Sequence, residues 1–250
     1  MMKRFFVIAL FVLGLGQLYA QPVRDTAWTK AGYFGLKLTQ VSLSSWSAGG
    51  ESALAFDSQI TYSADFKRDR QLWQNRLELG YGLTKNDGKS ARKTNDKIYF
   101  ASTYGYQIYK TLYWSALLNF NTQFAKGYDY NIEDSDFISK FMAPGYLMIG
   151  TGVTWSPNKI FTATFTPASW RGTIVADSRL SDEGAFGVDK GKHLLSEFGA
   201  NLKAEVNYEF LPNMKVYSRL ELYSNYLKDP QNIDVRWEVQ LNMAINKWFS

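Results

Sequence analysis

The chain has 250 residues, 46% apolar and 16% aromatic, with 28 basic against 23 acidic side chains and no cysteine. That composition excludes a disordered chain, a disulfide scaffold, a thiolate metal site and a cysteine nucleophile. A single histidine, His193, excludes multi-histidine metal sites and leaves one imidazole for any nucleophile–base pair.

Residues 1–20 read as a secretory signal peptide: Lys3 and Arg4, an apolar run from Phe5 to Gly14, and a small-residue exit at Leu18-Tyr19-Ala20. No cysteine follows it, so a lipoprotein anchor is excluded. Removing Lys3 and Arg4 leaves 26 basic against 23 acidic residues, and the like-charge runs, such as Lys67-Arg68, are short. Nucleic-acid binding has no electrostatic footprint in such a chain.

The remainder, 21–250, is predicted as one β-domain. No segment after Gln21 approaches the roughly 18 consecutive apolar residues of a membrane helix. Period-two alternation appears instead. It is weak near 31–42 and 52–66, and clear where Leu77, Leu79, Tyr81 and Leu83 interleave with polar or small residues. Ile98, Phe100, Tyr104, Tyr106 and Ile108 continue it, as do Trp114, Ala116, Leu118 and Phe120. Weaker versions lie near 145–155 and 159–166. From Ala200 to Phe210, apolar even positions alternate with Asn201, Lys203, Glu205, Asn207 and Glu209. A weak stretch at 214–226 precedes Val235, Trp237, Val239, Leu241 and Met243, which oppose Asp234 to Asn242. These make about ten strands, most long enough for the roughly 9 to 11 residues that cross a bilayer at a tilt.

The connections alternate in length. Short turns are expected at Lys67 to Gln71, Tyr109-Lys110-Thr111, Ser156-Pro157-Asn158, Leu211-Pro212-Asn213 and Asn246-Lys247. Longer polar stretches fall at 84–96, 125–143, 167–192 and 227–233. That order predicts an all-β, antiparallel up-and-down transmembrane β-barrel of about 10 to 12 strands, with turns at one rim and loops at the other. A secreted soluble barrel or sandwich also needs alternating strands, but would turn the apolar face inward.

With the apolar face toward lipid, the polar face lines a lumen whose charges neutralise one another. A hairpin centred on Pro212 sets Glu209 opposite Lys215, Glu205 opposite Arg219, and Lys203 opposite Glu221. The next hairpin sets Glu221 against Arg236 and Arg219 against Glu238. Such a charge ladder packs a small lumen and disfavours a general porin. A narrow path for a small polar solute is the alternative.

Other features carry weaker chemistry. His193 with nearby Ser196 and Glu197 is read as an interfacial loop histidine rather than part of a hydrolase site. Asp129-Tyr130-Asn131-Ile132-Glu133-Asp134-Ser135-Asp136 alternates oxygen ligands, but has Asp134 at the sixth position and Lys140 at the twelfth, where an EF-hand needs Gly and Glu. It is read as a solvated acidic loop. Tyr109, Trp155, Tyr208, Phe210, Trp237 and Trp248 suit aromatic girdles at the bilayer interfaces. Gly184, Gly187 and Gly191 lack the context of a phosphate loop and are read as turn residues needing unusual backbone angles.

Trp28, Gly32, Leu38, Gln40, Ser42, Trp46 and Gly49-Gly50, followed by Glu51-Ser52, resemble the opening of a Bacteroidetes family of unknown function whose members are outer-membrane β-barrels. Phe165-Thr166-Pro167, Ala185-Phe186-Gly187-Val188 and Gly191 are similar to its middle pattern. The resemblance implies an outer-membrane barrel and brings no activity, catalytic residue or cofactor with it. It also implies a further strand after Asn246-Lys247, where this sequence stops at Phe249-Ser250. The expected function is a non-enzymatic outer-membrane scaffold or binding component without catalytic, cofactor or metal residues. Its expected partners are outer-membrane lipid and a protein of the envelope. A narrow channel is the alternative, and a lipid-modifying enzyme using His193 the least favoured reading.

Overall fold

A computed structural model describes residues 27–43, 51–132, 136–212 and 214–243. The leader at 1–20, Trp46, Gly49, Gly50, Glu133 to Ser135, and Asn246 to Ser250 lie outside the described residues.

Ten strands form one antiparallel sheet in strict chain order. They are β1 (Trp28–Val41), β2 (Ala53–Arg68), β3 (Gln71–Asn86), β4 (Arg92–Tyr109), β5 (Leu112–Thr122), β8 (Gly145–Trp155), β9 (Phe161–Ile174), β10 (Leu194–Leu211), β11 (Met214–Asn225) and β12 (Ile233–Met243). Between β5 and β8 the short β6 (Gly127–Tyr128) and β7 (Phe137–Ser139) pair with each other. One helix, α1 (Ser178–Glu183), lies between β9 and β10 and is followed by a 3-10 turn at Ala185–Gly187. Tight connections after β2, β4, β8 and β10 all fall at one end of the sheet, here the turn end. The others, among them 123–144 and 175–193, fall at the loop end.

Several strands run past the limits expected from composition. The polar stretch 84–96 is largely strand, because β3 continues to Asn86 and β4 starts at Arg92. Likewise β9 passes through Pro167 to Ile174. Proline is tolerated there because the ladder with β10 shifts register between Gly199 and Asn201, so its missing N–H removes no regular ladder bond.

The pairing assigns each side chain to a face. One face carries Trp114, Phe165, Leu202, Trp237 and Val239, all exposed; Trp237 is 72% accessible. The other carries Ser115, Thr164, Thr166, Ser169 and Asn201, all buried, with Thr166 and Ser169 at 0%. This inverts the arrangement of a water-soluble protein, in which large apolar side chains are inside. The polar face is concave. Gln74 of β3, Asn119 of β5, Thr164 of β9 and Glu221 of β11 line a single cavity of about 70 Å3. Hydroxyls bridge neighbouring strands on that face: Ser115 donates to Thr154 at 2.8 Å, and Thr154 meets Thr164 at 3.0 Å.

A cluster of buried apolar side chains lies beyond the sheet. Ala143, Val175, Leu180 and Val188 pack together at the loop end, with Phe137, Ala185 and Leu195 against them. The described parts of 123–144 (123–132 and 136–144) and the segment 175–193 thus form a folded cap. Asp177 caps α1 by accepting from the Leu180 N–H at 3.0 Å. Gly184, Gly187 and Gly191 take positive φ angles of 76°, 80° and 76°, which glycine adopts without strain.

Candidate functional site

The concave polar face is the densest concentration of ionisable groups. On β10 and β11, Glu209 stands opposite Lys215, Glu205 opposite Arg219, and Lys203 opposite Glu221. On β11 and β12, Arg219 stands opposite Glu238 and Glu221 opposite Arg236. Side-chain contacts sort differently from this main-chain register. Lys215 reaches Glu209 at 3.3 Å and Arg219 reaches Glu238 at 2.5 Å. The Glu205 carboxylate takes Lys203 of its own strand at 3.2 Å and the Tyr217 hydroxyl at 2.9 Å. Glu221 accepts from the Asn201 amide at 3.2 Å. Arg219 turns to Glu238 because Lys203 and Tyr217 already occupy Glu205.

A second cluster sits nearer the loop end. The Arg171 guanidinium grips Glu197 through Nε at 2.7 Å and Nη2 at 3.0 Å, and reaches Asp234 at 3.0 Å. It also lies 3.9 Å from the centre of the Tyr223 ring, while Asn225 donates to Glu197 at 3.0 Å. Strands β9 and β12 are three spacings apart, about 14 Å along the sheet. Only strong curling lets one arginine join them. Sequence reasoning missed this cluster because Arg171 falls inside the stretch 167–192 expected to be loop. The parity of Glu197 and Asp234 on their strands was the available signal.

Outward tryptophans repeat one local geometry. Trp73 stands opposite Tyr104 and donates to Ser102 at 2.9 Å; Trp170 stands opposite Phe198 and donates to Ser196 at 2.6 Å; Trp237 stands opposite Leu220 and donates to Ser218 at 3.0 Å. In each case the serine lies two residues before the tryptophan's direct partner. An indole N–H exposed to water needs no such partner, whereas one facing hydrocarbon does.

Aromatic side chains also gather at the turn end. Trp28 packs against Phe66 at 5.3 Å and Trp73 at 5.7 Å, and Trp155 meets Phe161 at 5.6 Å. Tyr109, Tyr208 and Phe210 are exposed at that end, whereas Trp237 belongs to the loop-end half of β12.

His193, Ser196 and Glu197 do not converge. His193 donates from Nδ1 to the Val175 carbonyl at 2.7 Å, Ser196 accepts from Trp170, and Glu197 points to the opposite face to meet Arg171. In the acidic loop, Asp129 accepts from the Asn131 main chain at 3.0 Å and side chain at 3.1 Å. Among the described residues no group of three or more His, Asp or Glu side chains could hold a metal ion. In the cap, Lys140 pairs with Asp177 at 2.5 Å. That hydrogen bond, then the one from the Leu180 N–H, holds the Asp177 carboxyl below the usual carboxylate range.

No curated protein and no solved structure matches the chain. Residues 38–128, from the end of β1 through β6, match the model of a family described as a protein of unknown function, DUF3078.

Proposed function

We propose that the chain is an integral outer-membrane β-barrel, exported through its leader, that serves as a non-enzymatic scaffold or binding component. The observation that carries this reading is the inverted sheet, with large apolar side chains exposed on the convex face and hydroxyl, amide and charged groups enclosed on the concave one. Such an arrangement suits a hydrocarbon surround and a polar interior. Along β10, a rise of ten residue steps from Phe198 to Tyr208 separates two aromatic levels. At a tilt of about 40° that separation is about 25 Å, the height of the apolar band of outer-membrane barrels.

The interior supports a scaffold over a general pore. Side chains of β3, β5, β9, β10 and β11 converge on a polar cavity of about 70 Å3, the side-chain filling expected of a small barrel rather than a wide channel. The folded cap at the loop end offers the recognition surface, where a rigid frame presents loops to a protein partner of the envelope. The continuous run of polar side chains along β10 to β12 favours, as a second reading, a narrow path for small polar solutes.

Fractionation and reconstitution test both. The protein is expected in the outer-membrane fraction, resistant to alkaline carbonate, and silent in planar bilayers. Release into the soluble fraction overturns the membrane reading. Discrete single-channel conductance that is lost on changing Arg219 or Arg236 replaces the scaffold with the channel.

A further inference from the structure

Strands β1 and β12 are the two edges of the sheet, and among the described residues neither pairs with the other. No described strand pairs with the outer edge of β1 along residues 29–41 or of β12 along residues 233–243. We infer that β1 and β12 pair directly and antiparallel in one register, with Lys37 opposite Asp234, Phe34 opposite Trp237 and Trp28 opposite Met243. The inference rests on the membrane reading, since hydrocarbon does not tolerate an open sheet edge.

Direction permits the pairing. β1 runs from the turn end to the loop end and β12 runs back, so as neighbours they are antiparallel like every other pair in the sheet. Curvature brings the edges toward each other, as the Arg171 bridge from β9 to Asp234 on β12 shows.

The faces then restrict the register. Lys37 is on the concave side, opposite Asp57 of β2, and Asp234 is on the concave side, opposite Tyr223 of β11. Any one-residue slip would turn polar groups into lipid, so only shifts of two residues are allowed. One such shift sets Lys37 against Arg236, placing like charges directly opposite. A shift of four sets it against Glu238 but carries Ile233 past Val41, the end of β1. A shift of two the other way leaves Met243 beyond Trp28, where β1 starts. The inferred register alone pairs all 11 residues of β12 and gives Lys37 an acid. Asp234 then lies between Arg171 on one side and Lys37 on the other, the residue that fastens the seam.

The cysteine-free chain gives this a clean test. Directly opposite residues have Cβ atoms about 4.5–5.5 Å apart, close to disulfide range, whereas a four-residue offset adds about 13 Å. The full-length protein carrying Lys37→Cys with Asp234→Cys, folded in vesicles and treated with mild oxidant, is expected to form an intramolecular disulfide in most molecules. The pair Lys37→Cys with Glu238→Cys should remain at background. A disulfide formed only in the second pair overturns the register. Dimers as the sole cross-linked product overturn direct closure in favour of a second copy. No cross-link in a protein still resistant to carbonate shows that other strands fill the gap. A chain released by carbonate is instead a failure of the membrane reading.

Discussion

Placing a charge on the outer face at two depths separates a hydrocarbon surround from water. Leu202 lies on the convex face of β10, 38% exposed, and Tyr208 lies on the same face and strand, 45% exposed, six residues nearer the turn end. Taking Phe198 as the loop-end aromatic level, Leu202 sits about 10 Å inside it at a strand tilt of about 40°. An arginine there costs about 2–4 kcal/mol on a lipid-facing barrel wall, and about 0–1 kcal/mol near the interface where Tyr208 sits. The cost at Leu202 corresponds to roughly a 30- to 700-fold loss in the folding equilibrium. Were this face in water, both substitutions would fall within about 0.5 kcal/mol of neutral, since the arginine stem covers the same apolar neighbours. Reversible urea unfolding in lipid vesicles, followed by tryptophan fluorescence, reads both values. Equal effects at the two positions, or none at Leu202, would refute the assignment of the convex face to lipid.

Reversing Glu205→Lys leaves Lys203 and Arg219 beside a third cation and should destabilise the protein by about 3 kcal/mol or more, with partial recovery when Arg219→Glu is added; the same urea titration checks it. Failure of the second change to recover anything would mean that the two side chains do not couple across the hairpin. Ser218→Ala strands the Trp237 indole N–H and should cost about 1–3 kcal/mol in vesicles, against a near-neutral effect if that ring faces water. Because the folded Asp177 carboxyl titrates below its unfolded value, its stabilisation of the cap is present above about pH 3.9 and is lost as pH falls through the depressed folded value. Hydrogen exchange at the Leu180 amide should accelerate on that descent, and Asp177→Ala, costing about 1 kcal/mol of capping, should abolish the dependence.

Period-two alternation made the long strands legible, and the Pro212 turn made the β10–β11 register legible, because a one-residue slip exchanges every side chain between faces. What alternation could not reveal were interruptions that conserve the ladder. Pro167 reads as the start of a loop, yet the bulge beside Gly199 absorbs it and β9 continues to Ile174. Carrying Arg171 into the sheet creates the bridge to Asp234, so the error in one boundary hid the second charge cluster. Side-chain pairing was also beyond the sequence. The register sets Glu205 opposite Arg219, but the choice of Lys203 and Tyr217 as its partners depends on rotamers and on the competing pull of Glu238. The cap was hidden for another reason: Ala143, Val175, Leu180 and Val188 are scattered over two segments, with no periodicity to unite them.

That cap and the wall beneath it obey opposite solubility rules. Above the rim, greasy groups hide and charges meet water, as in any cytosolic globule; along the wall, the preference is reversed. Substitutions in the described parts of 123–144 and in 175–193 therefore answer to familiar aqueous constraints, while those along the strands do not. Grafting those two segments together, rather than either alone, is the natural unit of exchange, because Phe137 and Ala143 of one pack against Val175, Leu180, Ala185 and Val188 of the other.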